Sequence, residues 1–332
     1  MNQFLRNLTP VQQVGTLFIT VFGLLVLTTV ALVLVGLRDP QGPQHDERNA
    51  QLRDWRQLLG RSWFMVAVFW LAWATGEAMA TLLFALIAFF ALREFITLSP
   101  TRRGDHRSLV LAFFVVLPIQ FLLVASRHFD LFTVFIPVYV FLAIPVVSAL
   151  SGDPQRFLER NAKLQWGIMV CVYGMSHVPA LLLLQFPRQN YEGKQAFLVF
   201  FLVMVVQTCM LVQHLATRRL RPTPSLPGVS SSFSWRTWAW GVLAGSMLGV
   251  MLSFITPFKP AVALWAAVVA CVAGSLGHLV MKALKRDRGV PAWGPQGASV
   301  TGANGLLDRV DALCFAAPIF FHSVRWYVGA AA

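Results

Sequence analysis

The chain is short of charge. Of its 332 residues only 12% are Asp, Glu, Lys or Arg, and just 14 are acidic. That is about half the charged share of an ordinary soluble domain. With 57% of residues hydrophobic, a soluble globular protein is excluded as the simplest reading. Cysteine is scarce too. Cys171, Cys209, Cys271 and Cys314 each lie within or beside an apolar run, and none has the spacing of a metal site. Disulfide scaffolds and structural zinc sites drop out, leaving small apolar packing residues. No Gly-x-x-x-x-Gly-Lys-Ser/Thr phosphate loop occurs. The first apolar run is too long for a cleavable signal peptide and has no obvious small-residue cleavage site. Nor does the chain show a repeat of the inverted-repeat transporter kind.

What is present is a series of long apolar runs. A spanning helix needs about 20 mostly apolar residues. Ten segments qualify or nearly so: 14–37, 62–74, 78–98, 108–126, 129–150, 164–186, 195–214, 237–257, 260–281 and 311–329. The second is short, and only Thr75-Gly76-Glu77 separates it from the third, so the pair reads as a tight hairpin or one bent element. The expected architecture is an all-α, polytopic helical bundle of about ten spans forming a single membrane domain over 1–332.

The net charge of +13 would suggest nucleic acid on a soluble protein. Here its distribution points to topology, and no nucleic-acid partner is expected. Twenty-one of the 27 Lys and Arg fall after odd-numbered spans. The alternate loops carry only Arg127, Arg188, Lys194 and Lys259. Cytoplasmic loops collect basic residues, so both termini are expected to face away from the cytoplasm. Segment 38–61 is expected on the cytoplasmic side. Within it, Leu52, Trp55, Leu58 and Leu59 recur at helical spacing, which suits an amphipathic surface helix. "RPTPSLPGVSSSFS" (221–234) reads as a cytoplasmic loop.

One charged stretch interrupts this pattern. "NGLLDRVDALCF" (304–315) puts Asp308 and Asp311 three residues apart at the threshold of an apolar run. On a helix they share a face, one turn apart. Two such carboxylates can share a divalent cation with substrate phosphates, or they can act as N-terminal caps paired with Arg309. Upstream stands "KALKRDRG" (282–289), with Lys282, Lys285, Arg286 and Arg288. Between them, glycines at 294, 297, 302 and 305 let backbone amides approach an anion. Carboxylates, cations and a glycine-rich segment in one loop suit a phosphorylated, metal-bound substrate at a membrane surface; topology alone also accounts for the cations.

"GLLDRVD" (305–311), preceded by Lys285-Arg286 and followed by an apolar helix with Pro318, resembles the C-terminal signature of the phosphatidate cytidylyltransferases, or CDP-diacylglycerol synthases. The family pattern runs from Ser-x-x-Lys-Arg through Lys-Asp and Pro-Gly-His-Gly-Gly to Asp-Arg-x-Asp. Asp308, Arg309 and Asp311 match its last element, Lys285 and Arg286 its Lys-Arg, and Gly305 its final glycine. The Lys-Asp step is absent. Thr301-Gly-Ala-Asn-Gly305 stands for Pro-Gly-His-Gly-Gly, and His278 stands where an acidic Gly-Asp-Leu step has its aspartate. Upstream, Arg236-Thr237-Trp238 stands for Lys-Thr-Trp, with Ala239 in place of a glutamate. The motifs lie mainly in 200–327; "FALREF" (90–95) adds a weaker likeness.

The resemblance implies transfer of CMP from CTP to phosphatidate, or a related lipid phosphate, with release of pyrophosphate. It implies Mg2+, with Mn2+ as an alternative, on Asp308, Asp311 and His278. Lys285, Arg286, Arg309, Arg236 and Thr237 would bind phosphates, and Gly302, Asn304 and Gly305 would line the nucleotide. It implies an enzyme of a bacterial cytoplasmic (inner) membrane, active on the cytoplasmic face, and a homodimer. An altered-substrate or non-catalytic paralogue and a transporter are the alternatives. Against the transporter, ionisable residues gather at the loops rather than the bilayer midplane. The pattern of CDP-alcohol phosphotransferases is not found. Of the other polar residues, Glu77 reads as a solvated turn residue, Glu94 as half of a surface ion pair with Arg93 or else as a cavity-lining residue, and His177 as a packed, hydrogen-bonded histidine. Gln207 and His214 read as cavity residues. His322 and Arg325 read as bundle-facing, or Arg325 as snorkelling.

Overall fold

A computed structural model of the chain describes residues 10–37, 45–98, 101–186, 194–290 and 305–330. Among these the elements are all helical. The chain divides into two compact units, 1–74 and 75–332.

The first unit holds α1 (Pro10–Leu37) and nearly all of α2 (His45–Thr75). The polar 45–61 stretch and the short apolar 62–74 run form one continuous helix. Phe18 stacks on Phe69 with ring centroids 5.1 Å apart, and Phe22 meets Trp63 edge-on. The Trp63 indole N–H donates to Thr29 Oγ1 at 3.0 Å. Gly76, at φ +85, ends α2 and lets the next helix start at Glu77. The two runs are therefore separate helices, because a positive φ of this kind suits only a residue without Cβ.

Among its described residues the second unit contains eight helices. They are α3 (Glu77–Thr97), α4 (Arg103–Ala125), α5 (Phe129–Ala149) and α6, which begins at Phe157–Gly167 and ends at Met175–Leu182. Then come α7 (Ala196–Leu220), α8 (Trp235–Met251), α9 (Pro260–Asp287) and α10 (Leu307–Ala330). Three helices widen into π turns at Ala112–Val116, Phe135–Val140 and Ile168–Gly174. Each has a proline in it or just beyond it (Pro118, Pro137, Pro179), whose missing N–H and bulky ring disfavour a tight α wall.

Among the described residues, seven helices are long and apolar enough to cross a membrane. They are 12–36 within α1, together with α3, α4, α5, α7, α8 and α9. The apolar part of α2 is shorter, at Ser62–Thr75. α10 carries Asp308, Arg309, Asp311, His322 and Arg325, which dilute its apolar stretch. Large side chains such as Phe114, Leu142, Leu150, Met247 and Trp326 stand exposed on the outside. A surface of that kind belongs in lipid rather than water. The protein is a polytopic helical membrane protein.

Small residues let the helices touch backbone to backbone, as membrane bundles require when no hydrophobic effect drives helix on helix. A methyl on Gly245 of α8 would sit 2.5 Å from Cys271 Sγ of α9 and 2.9 Å from the Val205 carbonyl oxygen of α7. A methyl on Gly174 would meet the Cys314 carbonyl oxygen of α10 at 2.3 Å. All four cysteines are free and buried.

Ion pairs sort by the two ends of the second unit. At one end, Glu77 pairs with Arg127 at 2.7 Å, and Arg325 pairs with Asp130 and also donates to the Phe129 carbonyl. At the other, Arg160 is bracketed by Asp105 (2.8 Å) and Asp153 (2.6 Å). Arg325 is thus an ion-paired residue. His177 is fully buried, and its Nδ1–H donates to the Tyr173 carbonyl at 2.7 Å, so it is a packed, hydrogen-bonded histidine.

Candidate active site

The site grows from the end of α9 and the start of α10. α9 stops in a reversal in which Gly289 takes φ +66. The N–H groups of Gly289 and Val290 return to the carbonyls of Arg286 and Lys285 at 3.0 Å each. This closure satisfies the last carbonyls of the helix and leaves Lys285 and Arg286 in its final turn. The chain enters α10 through Gly305, at φ +69.

The first turn of α10 is capped from outside. Glu94, near the end of α3, is only 4% exposed. Its two carboxylate oxygens accept the N–H groups of Leu306 (3.0 Å) and Leu307 (2.8 Å). The reading of Glu94 as part of a surface ion pair is corrected here. An anion at the positive end of a helix, taking two of its orphan amides, is a favourable place for a buried carboxylate.

One turn further on, α10 presents its acidic residues to α9. Asp308 Oδ1 accepts from Lys285 Nζ at 2.5 Å, and Asp311 Oδ2 accepts from His278 Nδ1 at 2.6 Å. Because an ionised carboxylate only accepts, this bond places a proton on His278 Nδ1. The other Asp311 oxygen accepts the Ala312 N–H at 2.7 Å. Both aspartates are buried, Asp308 9% and Asp311 3% exposed. The two pairs lie two helical turns apart on α9 and one turn apart on α10. The helices approach closely here, because Gly277 leaves room for the Phe315 ring, which a Cβ would meet at 2.2 Å.

The expected site residues separate. His278, Lys285, Asp308 and Asp311 come together. Arg236, Arg286 and Arg309 are exposed. Arg286 also donates to the Pro227 carbonyl at 2.5 Å, tying the 221–234 loop to α9. Thr237 is fully buried; its hydroxyl donates to the Ser234 carbonyl and accepts from Thr217. That proton is spent within α8 and its cap, so Thr237 has none to offer a phosphate in this conformation. Gly302 and Asn304 lie outside the described residues.

A family profile described as the cytidylyltransferase family matches residues 57–327. The chain belongs to the cytidylyltransferase family. It is also 31% identical over 308 residues to the uncharacterized protein YnbB of Escherichia coli strain K12. That alignment covers 92% of this chain and 97% of the relative. Membership supports CTP-using nucleotidyl transfer by a membrane-embedded protein, and the profile spans every described residue of the α9–α10 site.

Among the described residues no group of three or more His, Cys, Asp or Glu is placed to hold a metal ion. His278, Asp308 and Asp311 are not gathered into the expected three-ligand set: His278 is paired with Asp311, and Asp308 with Lys285. The two carboxylates on one helical face do fit magnesium as it is usually held, by one or two carboxylates with substrate phosphates completing the shell.

Sequence reasoning singled out Glu94 but missed the amides it caps. The available signal was an acidic residue at the expected cytoplasmic end of an apolar helix, which costs energy unless it is partnered. It also missed Trp238, whose indole N–H donates to Ser275 Oγ at 2.8 Å and fastens α8 to α9.

Proposed function

We propose that this cytidylyltransferase transfers CMP from CTP to phosphatidate at the cytoplasmic face of a membrane, giving CDP-diacylglycerol and pyrophosphate. The observation that carries the reading is the double pairing of Lys285 with Asp308 and His278 with Asp311. It sits at one end of a membrane bundle, inside the region that the family profile matches.

A phosphate oxygen of the lipid forms the new bond to the α-phosphorus of CTP, and the bond to the β-phosphate oxygen breaks. Pyrophosphate leaves with that electron pair. The nucleophile is already an anion, so no strong base is needed. The demand is to bring two polyanions together in line. Lys285 moves from Asp308 onto a substrate phosphate, which releases the Asp308 carboxylate. Asp311 holds the His278 ring in one tautomer and orientation. Arg309, Arg236 and Arg286 supply exposed positive charge at the mouth, which draws CTP in and balances the crowded phosphates. Magnesium, held by Asp308 and Asp311 with substrate oxygens, would supply further neutralisation of the triphosphate. The acyl tails stay in the bilayer, which accounts for building such a site on spanning helices.

The test uses membranes from a low-background host, radiolabelled CTP, phosphatidate, and magnesium or manganese. The expected result is labelled CDP-diacylglycerol from the native protein. With Asp308→Ala/Asp311→Ala, transfer drops on the order of 100-fold or more, the scale seen when preorganised charge stabilisation is removed. Absence of liponucleotide from folded native protein with either metal would falsify phosphatidate as the acceptor. A panel of other lipid phosphates in the same assay then shows whether a different acceptor is used.

A further inference from the structure

We infer that Glu94 is a positioning residue of the α9–α10 site: it fixes the first turn of α10 so that Asp308 and Asp311 meet their partners on α9. The inference rests on the proposed nucleotidyl transfer and adds to it a group on a third helix, 212 residues upstream of the amides it holds.

A helix start leaves its first N–H groups without intrahelical partners. In α10 two of these orphans, Leu306 and Leu307, are both taken by Glu94, one on each carboxylate oxygen. A single carboxylate gripping consecutive amides fixes direction as well as position, much as a bidentate pair does. Leu307 is fully buried, and Leu92 and Phe95, on either side of Glu94 along α3, are 0% and 4% exposed. The clamp is therefore embedded in packed surroundings. Asp308 is the next residue after the gripped amides, and Asp311 is one turn on. Any rotation of that turn moves both carboxylates away from Lys285 and His278 together.

The clamp also changes what the substrate can use. The N-terminus of a helix is a ready anion site. Here the protein's own carboxylate fills two of its amides, so phosphates must be bound by the side-chain cations around the site instead. Glu94 touches no reacting atom in this scheme. It acts through α10.

The experiment compares native protein with Glu94→Gln and Glu94→Ala, each purified in detergent. Gln keeps the size but can accept through one oxygen only, so one amide loses its partner. Hydrogen–deuterium exchange of the 305–311 segment is followed beside steady-state transfer. For Glu94→Gln we expect faster exchange confined to 305–311, an otherwise unchanged exchange pattern and melting temperature, and a kcat reduced roughly 10- to 100-fold, the scale of small misplacements of reacting groups. KM for CTP should change little, because the loss falls on transition-state geometry. Glu94→Ala should exceed Glu94→Gln in both readouts. Unchanged exchange at 305–311 in both variants overturns the clamp. Exchange raised throughout the bundle with a large drop in melting temperature overturns positioning in favour of plain structural support. If native protein transfers nothing from CTP yet exchange changes locally as expected, the enzymatic reading and the inference resting on it fail, while the clamp itself survives.

Discussion

Lys285 and Asp308 offer the sharpest test of the site's electrostatics. Their side chains are only 11% and 10% exposed, with Nζ and Oδ1 2.5 Å apart. At an effective dielectric of 20, the gross attraction at that separation is roughly 7 kcal/mol. Desolvating each ion costs several kcal/mol, so the pair as a whole contributes little net stability. Removing one partner is different, because the other charge stays behind. Lys285→Met takes the ammonium away from a buried carboxylate, and about 3 kcal/mol of destabilisation is expected. Asp308→Asn strands an ammonium on a flexible stem that can swing to the surface, so the cost should be nearer 1–2 kcal/mol. The double variant should recover most of the loss, with a coupling of about 2 kcal/mol in the double-mutant cycle. The assay is reversible unfolding in mixed micelles, run beside cytidylyl transfer. All three variants should lose activity, the double among them despite its recovered stability, which separates the pair's role in folding from its role in chemistry. Purely additive single effects, with coupling below about 0.5 kcal/mol, would show that this ion pair does not form in the folded protein.

Two further outcomes follow from contacts elsewhere. Gly174→Ala places a methyl 2.3 Å from the Cys314 carbonyl oxygen, a backbone atom that no side-chain rotation can move aside. A loss of about 1–3 kcal/mol is expected in the same unfolding assay, with reduced transfer, because Cys314 lies one turn beyond Asp311. Asp153 has its carboxyl held below the usual 3.8, first by the Gln155 N–H and then by Arg160. A depressed carboxylate contributes stability above its unfolded pKa and loses it as pH falls through the folded value. Asp153→Asn should therefore flatten the pH dependence of stability below about pH 4, read as melting temperature against pH. An unchanged acid limb would remove Asp153 from the network.

The helical class was legible because a bilayer leaves few choices. Every backbone group must be satisfied within its own helix, so long apolar runs with few charges announce spans directly. The alternation of the helix ends was legible for a related reason, since basic residues accumulate in alternate loops. The ion pairs of Glu77 with Arg127 and of Arg160 with Asp105 and Asp153 fall at opposite ends, as that alternation requires. Asp308 and Asp311 stood out because acidic residues are so few that two on one helical face at a membrane threshold demand an explanation. Even the partial motif around them depends on local spacing, which a sequence displays.

What only the tertiary structure decided is who partners whom. Glu94 and Leu307 are far apart in sequence, and no periodicity relates them; their bond follows from α3 ending where α10 begins. The reading of His278 and the two aspartates as joint ligands treated them as a set. Packing of α9 on α10 instead gave each carboxylate its own partner, Lys285 for Asp308 and His278 for Asp311. Thr237 looked like a phosphate donor beside Arg236, yet its hydroxyl is consumed by Ser234 and Thr217. In each case sequence fixed the chemical capacity of the side chain. Its use was set by the nearest competing partner, and that depends on which helices the close-packed glycines allow to meet.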